Sequence, residues 1–101
     1  RRDGRAASGL RAVLDALAQQ RVGTLLLDDG RRAPGSWCPA CGWVGAGDAG
    51  RCPADGNGTE RRDDVTELMV ERALGQSARV LVVRRHPDLG PHGGFGALLR
   101  F

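Results

Sequence analysis

Gly23-Thr24-Leu25-Leu26-Leu27, closed by Asp28-Asp29-Gly30, is the stretch on which the fold turns. A glycine opens it, a turn signal ends it, and the residues between show no polar alternation. A run apolar on both faces suits a strand buried in the middle of a sheet. Upstream, Leu10, Val13, Leu14 and Leu17 recur at i, i+3, i+4 and i+7, which predicts a helix over about 9–20 with Ser8 as N-cap. Downstream the same pair of elements returns. Asp64 with Glu67 three residues on reads as a capping box. Val65, Leu68, Met69, Ala73 and Leu74 then mark a second helix with Gly75 as its C′ residue. Val80-Leu81-Val82-Val83 is a second buried-strand run. His86 to Gly94, with two Pro and three Gly, reads as a loop, and Phe95 to Phe101 closes as a third strand. Helices alternating with strands predict an α/β fold, a small α/β/α sandwich with a mixed sheet.

Length and composition narrow the function. The 101 residues amount to one domain. With 41% apolar and 27% charged residues the balance is globular, which excludes a disordered tail. No run approaches the ~18 apolar residues of a membrane span. The opening Arg1-Arg2-Asp3 carries no apolar signal segment, so a cytoplasmic piece of a longer protein is expected. All 15 basic residues are Arg, while Lys, Ile and Tyr are missing, a bias that a G+C-rich genome produces. The net charge is +3 with acids interspersed. The arm Arg1, Arg2 and Arg5 and the pairs Arg31-Arg32, Arg61-Arg62 and Arg84-Arg85 permit nucleic-acid contact without indicating it.

Residues 31–62 change character. They hold three Pro, seven Gly, all three Cys and both Trp, and too few aliphatics for a core of their own. Cys38-Pro39-Ala40-Cys41-Gly42 and Cys52-Pro53-Ala54-Asp55-Gly56 spell one pattern twice, with ten residues between Cys41 and Cys52. A tight turn presents two ligands, and two such knuckles close a tetrahedron around zinc. Proline stiffens the turn, and glycine lets the backbone curl past the second ligand. Cys38, Cys41, Cys52 and Asp55 are therefore the candidate ligands of a structural zinc held in an insert over 36–58. Asp55 has two readings: a carboxylate ligand completing a Cys3Asp site, or a surface turn residue beside three thiols that hold no metal. His86 or His92 could supply the fourth ligand if their loop folds back. Trp37-Cys38-Pro39-Ala40-Cys41 also looks like a thioredoxin active site, but that chemistry needs a helix after the first Cys, and Gly42, Gly45, Gly47 and Gly50 oppose one. An odd Cys count argues against a secreted disulfide framework.

Read as a whole, residues 9–101 resemble the C-terminal domain of archaeal and eukaryotic class-one peptide-chain release factors and of pelota. They are most similar to the bacterial branch that includes the Balon-type ribosome hibernation factors. The resemblance is carried by Leu14-Asp15-Ala16-Leu17 with Arg21 to Leu27, by Asp64-Val65-Thr66-Glu67-Leu68 through Val80, and most specifically by Gly93-Gly94-Phe95-Gly96-Ala97-Leu98-Leu99-Arg100-Phe101. The Cys knuckles sit where archaeal members carry a zinc-binding insert. Three departures stand out. Asp55 replaces the fourth Cys, Pro87 to Gly94 replaces an aliphatic helix, and the catalytic Gly-Gly-Gln tripeptide, which belongs to another domain, is absent.

The resemblance implies the fold of kink-turn-binding ribosomal proteins. Their Gly-X-Asn-Glu signature is missing, since this chain has Gly4-Arg5-Ala6-Ala7-Ser8. It further implies docking onto a translational GTPase and the ribosome, with ribosomal RNA a possible contact. No acid/base or nucleophile constellation accompanies these residues, so a noncatalytic domain without a small-molecule substrate is expected. The alternative is a nucleic-acid-binding zinc ribbon using Arg31, Arg32, Arg51, Arg61 and Arg62, with Trp37, Trp43 and Phe95 as stacking candidates.

Overall fold

The computed structural model describes residues 5–48, 50–84 and 89–101, apart from the side chain of His92. The basic-arm residues Arg1 and Arg2, the pair member Arg85, and His86 lie outside the described residues. The elements run β1 (Ala6–Ser8), α1 (Leu10–Ala18), β2 (Val22–Asp28), β3 (Gly35–Trp37), β4 (Val44–Ala46), β5 (Glu60–Arg62), α2 (Thr66–Gly75), β6 (Arg79–Val83) and β7 (Phe95–Leu99), with a 3-10 turn at Gly90–His92.

Four strands form a mixed sheet in the order β1-β7-β2-β6. β2 and β6 are parallel, with Leu25 opposite Val80 and Leu27 opposite Val82. β7 enters antiparallel on the other side of β2, Leu27 facing Phe95, and β1 adds antiparallel to β7. Alternation sends Leu25, Leu27, Phe95 and Ala97 to one face, where they join Val13, Leu14, Leu17, Met69 and Ala73 of both helices in one buried core. The α/β class and mixed sheet are as expected.

Both helices thus cover the same face of the sheet. A second, three-stranded antiparallel sheet, β4-β3-β5, packs against α1 and sends Val44, with Ala33 just before β3, into that core. The opposite face of the large sheet carries Leu26, Leu81 and Leu98, the last two exposed, and there Leu89 closes over Gly96.

Local details depart from the sequence reading. Ser8 ends β1 rather than capping α1, and Gly9, whose N–H donates to the Phe95 carbonyl at 3.0 Å, starts the helix. Gly75 lies inside α2, and Ser77 supplies the left-handed residue (φ 62°). Ala78 N–H then reaches back to the Ala73 carbonyl, as Arg21 N–H reaches Ala16 at the end of α1 beyond Gln20 (φ 60°). Leu74, assigned to the apolar stripe, is 60% exposed because the stripe rotates past the core by the last turn. β6 is an edge strand rather than a buried one. No described strand pairs with its outer side, which leaves Leu81 41% and Val82 61% exposed.

Two polar side chains join these elements. The Gln76 amide is buried, with Oε1 accepting from Val22 N–H at 3.1 Å and Nε2 donating to the carbonyls of Leu17 (3.1 Å) and Arg72 (3.3 Å). The Arg100 guanidinium donates to the Val22 carbonyl from Nε (3.2 Å) and Nη2 (2.9 Å), and to the Gln76 carbonyl. At the other end of α2 the capping box is not the device used. The Asp64 carboxylate accepts from Thr66 N–H (3.0 Å), Thr66 Oγ1 (2.8 Å) and Ala33 N–H (3.3 Å). It therefore ties the start of the helix to the segment that leads into β3.

Replacing Gln76 by Leu strands the Val22 N–H in a dry site, and about 2 kcal/mol of stability should be lost in urea unfolding. Burial raises the Asp64 pKa, but hydrogen bonds from Thr66 and Ala33 and the nearby Arg32 charge outweigh it and leave the carboxyl lowered. A lowered folded-state pKa stabilises above the unfolded value and is lost as pH falls through the folded one. The deficit of Asp64→Ala relative to the parent, about 1 kcal/mol near neutrality, should therefore shrink below about pH 4, as followed by thermal melts.

Candidate metal centre

The two knuckles predicted from the repeated spelling fold alike, hydrogen bond for hydrogen bond. Cys38 N–H donates to the Trp43 carbonyl at 2.8 Å and Gly42 N–H to the Cys38 carbonyl at 2.7 Å. In the second copy Cys52 N–H donates to the Asn57 carbonyl and Gly56 N–H to the Cys52 carbonyl, both at 2.8 Å. Gly42 (φ 86°) and Gly56 (φ 77°) occupy the left-handed region that closes each turn, which a side chain would strain. β3 delivers the first knuckle and β4 carries the chain away from it. The second sits on a short hairpin whose stem pairs Arg51 with Gly58.

The knuckles face each other. One ligand atom from each of Cys38, Cys41, Cys52 and Asp55 lies within 4.8 Å of all the others. Cys38 Sγ is 3.6 Å from both carboxylate oxygens of Asp55, and Cys41 Sγ is 3.6 Å from Cys52 Sγ. A tetrahedral ion with thiolate bonds of about 2.3 Å holds its sulfurs about 3.8 Å apart. The cluster therefore has the dimensions of a metal site, and it can hold an ion. The first Cys of each knuckle is buried, while Cys41 and Asp55 lie at the surface.

Local electrostatics sort the four groups. Asn57, through its side chain and its backbone N–H (3.0 Å), holds the Asp55 carboxyl well below the usual carboxylate range. It is a ready anionic oxygen. The Trp43 backbone favours the Cys41 thiolate, but desolvation and hydrogen bonding with Cys52, Cys38 and Asp55 outweigh it, pushing Cys41 up to about 11. An incoming cation must displace that proton. Ala54 N–H points at Cys52 Sγ at 3.3 Å, the kind of donor that stabilises a sulfur ligand. His86 and the His92 side chain, the other ligand candidates, lie outside the described residues. After Cys38 the chain turns directly into β4, so the helix that thioredoxin chemistry requires does not follow it.

The surroundings bear on the nucleic-acid alternative. Arg62 lies over Trp37 at 4.7 Å and pairs with Glu60 at 3.4 Å. Arg31 pairs with Asp28, and Arg51 donates to the Gly56 carbonyl. The Trp43 ring lies across Gly45, where a Cβ would sit 2.1 Å from it, and Phe95 is core. Three of the five named guanidiniums and the aromatic rings are thus engaged within the chain. What the sequence reading missed is the framework beneath the centre, the buried Ser36 hydroxyl donating to the Gly47 carbonyl included. A lone serine in a glycine-rich run gives no signal of that role.

No protein-family model matches the sequence, and no curated protein does. Among solved structures, the C-terminal domain of a peptide chain release factor from Methanosarcina mazei is 30% identical, with a TM-score of 0.63. The likeness covers 97% of this chain and 71% of that one. By that identity over almost its whole length, and with the knuckle-bearing α/β fold now in view, the chain belongs to the family of peptide-chain release factor C-terminal domains.

Proposed function

We propose that this chain is a noncatalytic docking domain of a cytoplasmic, ribosome-associated protein, acting in hibernation or rescue through contact with a translational GTPase and the ribosome. The observation that carries the reading is the likeness to a release-factor C-terminal domain along 97% of the chain. Two further findings support it. The titratable groups that cluster have metal-ligand spacing rather than a nucleophile–base arrangement. No helix among the described residues is long and apolar enough to cross a membrane. In a pull-down, the full-length protein should enrich ribosomes or an elongation-type GTPase, and loss of enrichment on deleting residues 5–101 would assign the contact to this domain. Absence of enrichment by the intact protein overturns the reading.

The metal centre has a mechanical role in this proposal. Zinc bound by Cys38, Cys41, Cys52 and Asp55 clips an insert, residues 36–58, too rich in glycine to hold itself. Elemental analysis of untagged, chelator-free protein should find one zinc per chain. Asp55→Ala should lower zinc affinity by about two orders of magnitude. Affinity should also fall as the pH is lowered, because protons return to the thiols the metal must strip. In Cys52→Ala, amides within 36–58 should exchange rapidly while those of β2 and β7 stay protected. Collapse of the whole fold would refute the clip as a local device.

A further inference from the structure

We propose that Thr59 is a positioning residue of the metal centre, its hydroxyl donating a hydrogen bond to the ligand sulfur of Cys38. This role rests on the zinc-clip reading above and adds a residue outside both knuckles. Thr59 Oγ1 is buried, and among the described residues it has no hydrogen-bond partner. A donor kept dry and unpaired is uncommon in a folded chain, and its place calls for a reason.

Strand register supplies one. β5 pairs antiparallel with β3, Ser36 opposite Arg61 and Trp37 opposite Glu60. One step further along, Thr59 stands opposite Cys38. Their backbones turn away from each other there. Cys38 N–H donates to the Trp43 carbonyl on the β4 side, and Thr59 N–H donates to the Gly50 carbonyl at 3.1 Å on the other. Facing residues that exchange no backbone hydrogen bonds are the close pairs of an antiparallel ladder, their side chains on one face. Thr59 is therefore a cross-strand neighbour of Cys38.

The second knuckle comes to the same face. Arg51 pairs with Gly58, and alternation turns the next residue of each strand, Cys52 and Thr59, to the side opposite that pair. Thr59 thus lies between the strands that carry the two buried cysteines, Cys38 and Cys52. The knuckles, alike in their turns, differ in one respect. Cys52 Sγ receives Ala54 N–H at 3.3 Å, whereas among the described residues no backbone N–H donates to Cys38 Sγ. A metal-bound sulfur is anionic, and outer donors of this kind hold such a ligand in place. Thr59 Oγ1 does for Cys38 what Ala54 N–H does for Cys52, and the bond is made when the sulfur carries the charge to accept it.

The test titrates the chelator-treated chain with cobalt(II) in the parent, Thr59→Val and Thr59→Ser. Valine keeps the volume and removes the donor, while serine keeps the donor and removes the methyl. Thr59→Val should bind cobalt about tenfold more weakly than the parent. Its sulfur-to-cobalt charge-transfer band should move to longer wavelength, and Thr59→Ser should restore both readouts. Two results would overturn the role of Thr59 while leaving the clip in place. One is equal cobalt binding by the parent and Thr59→Val. The other is a loss in Thr59→Ser that Thr59→Val does not share, which would reduce the side chain to packing. A parent chain that binds neither cobalt nor zinc overturns the clip and this role together.

Discussion

One side-chain amide holds the frame together. Gln76 lies just beyond α2, yet its three hydrogen bonds end on the last turn of α1, the first residue of β2 and its own helix. The site is also where the β2–β7 register slips, between Val22 and Thr24. A ladder interrupted there would leave backbone groups unpaired in a dry interior, and Gln76 with Arg100 satisfies them. Because this joint locks the C-terminal ends of both helices, the N-terminal end of α2 is left to accept whatever the chain builds between β2 and α2. That is where the Cys-bearing sheet enters, fastened by Asp64.

Much of this frame could be read from the residues. The stripe through Val13, Leu14 and Leu17 and the unbroken run Leu25 to Leu27 are set by burial, and burial writes a period into sequence. The Cys-Pro-Ala spelling was legible for another reason: metal-ligand spacing is a local property of a turn. What escaped was fixed from a distance. β6 reads as buried because its residues are those of an interior strand, and only the placing of β7 on the opposite side of β2 turns it into an edge. β1 is three small residues whose partner lies some ninety positions away. β3, β4 and β5 have no strand-like composition. Their pairing follows from the knuckles that bring Gly35–Trp37 beside Val44–Ala46.

The insert is more than an ornament on the domain. Its sheet lends Val44 and, at half-burial, Trp37 and Ala46 to the same core as α1 and α2. Order in the Cys-bearing insert and packing of the helices are therefore energetically coupled, and Cys38 and Cys52 are themselves buried. With Asp55 in place of a fourth sulfur, the candidate centre would offer an ion one hard, already ionised oxygen instead of a soft thiolate. Such a set should hold its ion less tenaciously than four thiolates.

The position of β7 has a consequence for the order of events in folding. This strand lies between β1 and β2, antiparallel to both, although it follows every other element in the chain. Before it arrives, β1 has no neighbour and β2 has only β6, a pair joined through the whole insert and a helix. The nucleus must therefore wait for contacts of long sequence separation, and a nascent chain emerging from synthesis stays an open half-sheet until Phe95–Leu99 slots into its middle. Folding should be slow for so small a domain, and all but complete in a single late step.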